Sequence, residues 1–119
     1  MNKLVLLLVI FFCSCSESIE SEQEKPVDLI PQKKMTVILK DLMLIESHFQ
    51  IKYGVLPRYK EGLNASADSL FLSHGVNSKQ FETSYNYYLY KNGELQEIYR
   101  QILDSLNVEY TKVNSQKDK

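Results

Sequence analysis

Apolar and polar positions divide the chain into three stretches. Leu4 to Phe12 is an unbroken apolar run of nine residues. Ser16 to Asp28 carries five acids (Glu17, Glu20, Glu22, Glu24, Asp28), one lysine and Pro26, with no apolar period. From Ile30 onward apolar residues return at helical spacing and keep it to about Leu106.

That spacing predicts four helices. Pro31 at a first-helical position opens the first helix, and Met35, Ile38, Leu39, Leu42, Ile45 and Phe49 form one stripe before Gly54 ends it. Val37 and Leu44 fall on the opposite side, so this helix is expected to be touched on two faces. Residues 55–63, with Pro57 and Gly62, read as a loop. A short second helix starts at Asn64 or Ser66, shows Ala67, Leu70, Phe71 and His74 on one face, and stops at Gly75. Val76 is placed to pack back on Phe71. The third helix begins at Asn77 or Ser78, carries Phe81, Tyr85, Tyr88 and Leu89, and ends at Asn92-Gly93. The fourth has the cleanest period: Leu95, Ile98, Tyr99, Ile102, Leu103, Leu106. Past Asn107 the period decays into a polar tail expected to fray.

The fold class is therefore all-α: a small bundle of three to four helices behind an export signal and a flexible acidic tether. The expected segments are 1–14 for the signal, 15–29 for the tether, 30–107 for the helical domain and 108–119 for the tail. A folded part of that size has only a marginal core of its own.

Composition narrows this picture. The chain of 119 residues has 44% hydrophobic and 24% charged residues, ordinary for a globular protein. A formal charge of -1, with bases scattered along the chain, gives no face for phosphate neutralisation, so no nucleic-acid partner is expected.

The first residues read as a secretion signal, with Asn2 and Lys3 ahead of the apolar run. Nine apolar residues are far short of the roughly 20 that span a bilayer. Small residues precede Cys15, whereas bulky Phe12 precedes Cys13, so Cys15 fits the lipid-modified first residue of a mature bacterial lipoprotein. Cleavage there removes Cys13 and blocks Cys15, leaving no thiol for a disulfide, zinc or redox pair. The alternatives are an ordinary secretory signal cut elsewhere, or an uncleaved chain. Losing residues 1–14 removes one base and no acid, leaving 13 bases against 15 acids, a formal charge of -2. Lipid, not surface charge, would then hold the protein at an anionic leaflet.

Ile30-Pro31, Lys34-Met35, Ile38-Leu39, Asp41-Leu42 and Glu46, with His74-Gly75-Val76, Phe81, Ser84, Tyr87-Tyr88, Leu95 and Ile98-Tyr99, resemble a family of small Bacteroidota lipoproteins, the domain of unknown function 4296. The resemblance runs from the signal to about Leu106. It departs at Met43, where a histidine is common, and at Asn92-Gly93, where a proline is. The first departure weakens any case for histidine chemistry in the first helix. The resemblance implies a helical lipoprotein and no particular activity.

Candidate chemistry is sparse. His48 and His74 lie on different helices, without further ligands at metal spacing, so His74 is expected to cap a helix end and no metal or cofactor is expected. Asp41 and Glu46 are five apart, about 140° around a helix, and cannot act as a pair from one face. No nucleophile elbow or phosphate loop occurs, so no enzyme is expected. Glu46 is four residues from Leu42, about 40° away and inside the apolar stripe. It is expected to be desolvated, bonded to Arg100 or to Tyr85, Tyr88 or Tyr99, or else to line a ligand cleft. Tyr87 and Tyr90 fall opposite the stripe of the third helix, and are either covered by residues 55–63 or exposed for an interface. Asp68-Ser69-Leu70 and Asp104-Ser105-Leu106 resemble a short envelope O-glycosylation pattern at Ser69 and Ser105, which chance explains better.

The function expected is that of a lipid-anchored cell-envelope protein, a non-catalytic helical interaction module. Its partners would be the membrane, through the N-terminal lipid, and an envelope protein at the outer membrane, facing periplasm or surface. The alternative is a small-ligand-binding or enzymatic accessory protein with a polar cleft around Glu46 and nearby tyrosines.

Overall fold

The computed structural model describes residues 23–117. Cys13, Cys15, the signal and most of the tether lie outside the described residues. Four helices follow one another: α1 (Gln32–Tyr53), α2 (Leu56–Ser73), α3 (Ser78–Tyr90) and α4 (Glu94–Lys117). No strand occurs among the described residues. The fold is all-α.

Helix α1 is the spine. It runs antiparallel to α2, where Asp41 meets His74 and Phe49 meets Tyr59. It runs in the same direction as α4, where Thr36 donates to Gln101 at 3.2 Å and the Lys40 ammonium donates to Ser105 and Glu109. Helix α3 closes the bundle between α2 and α4, stacking Phe81 on Phe71 at 4.7 Å between ring centres. The core gathers Met35, Ile38 and Leu39 of α1, Phe71 of α2, Tyr88 of α3, and Leu95, Ile98 and Ile102 of α4.

Local chemistry explains most boundaries. Pro31 stands one position before the first helical residue, and its carbonyl accepts the Met35 N–H at 2.9 Å. At the end of α2, Gly75 takes φ 68°, its N–H reaches the Leu72 carbonyl, and the Val76 N–H reaches the Phe71 carbonyl. Val76 and Phe71 are both buried, which is the apolar contact that locks this kind of stop. Asn77 caps α3 by accepting the Gln80 N–H at 2.8 Å.

Three expectations are corrected. Residues 55–63 are not a loop, because α2 starts at Leu56. Pro57 lies in its first turn, where a missing N–H costs nothing. Gly62 lies inside this helix, and a methyl group there would meet the Phe49 ring at 2.9 Å, so the glycine makes room for the ring. The expected fraying tail is helical to Lys117, since nothing between Glu94 and Lys117 breaks a helix and Lys40 ties Glu109 to α1. The outer positions Val37 and Leu44 of α1 are exposed, because α4 packs on the Thr36–Lys40 flank instead.

Candidate functional site

Ile30 precedes a proline, which forces it out of helical geometry and turns its N–H and C=O away from α1. Both groups would be orphaned in the core, yet both are satisfied by side chains of α3. Ser84 Oγ accepts the Ile30 N–H at 2.9 Å, and the Tyr88 hydroxyl donates to the Ile30 carbonyl at 2.6 Å. Two residues upstream, Gln80 Nε2 donates to the Asp28 carbonyl at 2.8 Å. Ser84 is 1% exposed and is the one fully buried polar residue among those described. Its burial has a purpose: it holds the incoming chain.

Residues 25–31 thus form a strap bound along α3, not the last part of a free tether. The Leu29 N–H closes a turn onto the Pro26 carbonyl at 3.3 Å, and Ile30 inserts its side chain into the core. Tyr87 is buried, with its ring edge-on to Tyr88 at 5.6 Å, and it faces residues of this strap across a cleft. The Lys91 ammonium donates to the Tyr87 hydroxyl at 3.0 Å and sits 5.2 Å from its ring centre. Tyr90, by contrast, is exposed. Sequence phase alone put both tyrosines on an outer face, because a strap has no helical period to betray it.

Between the strap and the α3–α4 junction lies a cleft of about 440 Å³, lined by Lys25, Pro26, Val27, Leu29, Gln32, Tyr87 and Glu94 among others. Burial, the Glu94 carboxylate and Tyr87 together push the Tyr88 hydroxyl above the ordinary tyrosine range.

Glu46 is exposed, which overturns its expected burial. Its phase on α1 is right, but α3 is only 13 residues against 22 in α1, about 20 Å against about 33 Å, and does not reach that level. None of its expected donors bonds to it. Tyr88 is spent on Ile30, and Tyr85 and Tyr99 approach each other at 3.5 Å between hydroxyls. Arg100 is held on its own helix, donating twice to Glu97 at 2.8 and 2.6 Å and once to Asp104 at 2.7 Å. Those bonds from Arg100, with one from Gln101, hold the Glu97 carboxyl down at about 2. The bond to Tyr85, with burial behind it, pushes Tyr99 up to about 12.

His74 sits at the α2 C-cap with Nε2 3.6 Å from Asp41, joining α2 to α1. No group of three or more metal-ligating side chains is placed to hold an ion among the described residues. No helix among them is long and apolar enough to cross a membrane. Ser69 is exposed, whereas Ser105 lies between Lys40 and Glu109.

Two of the six residues in the expected α4 stripe, Tyr99 and Leu103, face solvent. Tyr99, Leu103, Tyr110 and Val113 follow one another at steps of 4, 7 and 3 along one side, with Leu103 61% and Tyr110 70% exposed.

A family model described as Domain of unknown function (DUF4296) matches residues 26–112. The match opens at the first residue of the strap's turn and takes in all of α1 to α3 and most of α4. The chain belongs to that family. No curated protein and no solved structure matches it.

Proposed function

We propose that this family member is a lipid-anchored cell-envelope protein of the Bacteroidota that acts as a non-catalytic helical interaction module. The anchor is the lipid on Cys15, the acidic stretch from Ser16 is the spacer, and the strap joins the spacer to the bundle. The observation that carries the interaction role is the exposed row Tyr99, Leu103, Tyr110 and Val113 on α4. Apolar side chains that share a face and are left in water mark binding surfaces in small proteins. Tyrosine is favoured at such surfaces because its ring adds contact area and its hydroxyl tolerates water.

Two experiments test this. Intact mass of membrane-extracted protein should show a chain beginning at Cys15 with added acyl mass; a chain that retains Cys13 rejects the anchor. A photo-crosslinker at Leu103 or Tyr110 in the native host should trap one envelope protein, and the trap should vanish with Leu103→Glu or Tyr110→Glu. Crosslinks no more specific than those from the exposed Ile51 on α1 would reject the interface.

A further inference from the structure

The cleft beside the strap is used by none of this. Its volume of about 440 Å³ falls in the range of small-ligand sites. Its two walls carry opposite charge: Lys25 comes from the strap, and Glu94 from the first turn of α4. An acid in a helix's first turn is favoured by the helix dipole, so Glu94 alone would signify nothing. A lysine that lines the same open space without pairing with it is what the helix does not explain; no ion pair joins the two among the described residues. Pro26 and the Tyr87 ring add apolar lining to the same cleft. Tyr88 also lines the cleft, but its hydroxyl proton is committed to the Ile30 carbonyl.

We infer that this cleft binds a small peptide-like zwitterion, its ammonium on the Glu94 carboxylate, its carboxylate on the Lys25 ammonium, and its side chain against Pro26 and the Tyr87 ring. A neutral solute would leave both charges without a counterpart, and a singly charged one would leave the other. Charge-assisted bonds at two ends, one to the strap and one to a helix, select for a free amino group and a free carboxylate on one molecule. The inference is independent of the α4 surface, which lies on another part of the bundle.

The test is ligand-observed saturation-transfer NMR on the full chain in detergent, with glycine, dialanine and trialanine as probes. At least one should bind at millimolar concentration, and its acetylated and its amidated forms should each bind about tenfold more weakly or worse. Glu94→Gln should erase the preference for a free amino end while leaving that for the carboxylate, and Lys25→Gln should do the converse. Circular dichroism of both variants should match the parent, since neither side chain bonds within the bundle. Absence of binding by all three probes overturns the inference. So does equal binding of free and blocked forms, or a Glu94→Gln variant that still prefers the free amine.

Discussion

Helix α1 passes through two environments, and the contrast between them explains the molecule. Its first half, with Met35 and Ile38 at 0% exposure, is enclosed by α2, α3, α4 and the strap. Its second half, from about Leu44, packs on α2 and carries Ile51 at 87% exposure. Residue types do not differ enough to account for this. The number of packing partners does, because the short α3 serves only one end. The open end keeps a local cluster in which Phe49 stacks on Tyr53 at 5.7 Å and meets Tyr59 at 6.0 Å across Gly62.

The largest effect should follow from a cavity at the closed end. Ile38→Ala or Ile98→Ala should cost about 3 kcal/mol in urea denaturation of the full chain. Ile51→Ala, the same change on the same helix as Ile38, should stay within about 0.5 kcal/mol. Comparable costs at the two ends would break the comparison.

The strap comes next. Ser84→Ala leaves the buried Ile30 N–H without its acceptor, and Tyr88→Phe leaves the carbonyl without its donor, each for about 1–3 kcal/mol. Ser84→Thr should recover part of the loss by restoring an acceptor. A neutral Ser84→Ala would mean that water reaches Ile30 and the strap is loose.

At the open end the sign of a mutation depends on one ring. Gly62→Ala gains roughly 1 kcal/mol of helix propensity, yet the new methyl would lie 2.9 Å from Phe49. Gly62→Ala alone should therefore fail to stabilise, and combined with Phe49→Leu it should raise the melting temperature above that of Phe49→Leu alone. A stabilising single Gly62→Ala would show that the ring moves freely. Glu46→Ala and Glu46→Gln should both leave the melting temperature unchanged, since the carboxylate stands in water.

The smallest effect concerns pH. Because Arg100 and Gln101 depress Glu97 when folded, its contribution is present above the ordinary glutamate range and is lost as pH falls towards about 2. Glu97→Gln should lower stability slightly at neutral pH and flatten the acid limb in that window, so that variant and parent converge as pH falls towards about 2. An unchanged acid limb would place the Arg100 fork in free exchange with solvent.

Much of the fold was legible from the chain. Gly75, Val76 and Asn77 marked the α2–α3 turn through φ and capping rules that are local. The stripe Met35, Ile38 and Leu39 marked the core side of α1. What sequence could not supply was the length over which each stripe has a partner, so Glu46, Tyr99 and Leu103 were assigned to interiors that α3 is too short, or too narrow, to enclose. Pro57 and Gly62 misled for a related reason: each breaks helices in isolation, and here one opens a helix while the other makes room for Phe49. The clamp had a weak signal, a serine and a tyrosine one turn apart on α3 at Ser84 and Tyr88, but its counterpart is a non-periodic residue 54 positions upstream of Ser84. Nothing short of tertiary structure joins them.

Ile30 builds the chain that precedes α1 into the stable end of the bundle. Native-state hydrogen exchange on the full chain tests it most directly. The Ile30 amide should exchange as slowly as those of Ile38 and Ile98, through global unfolding, while amides of residues 47–53 and 108–116 exchange earlier through partial opening. A fast Ile30 amide would show the strap to be loose, and uniform protection along α1 would show its two ends to be equally stable.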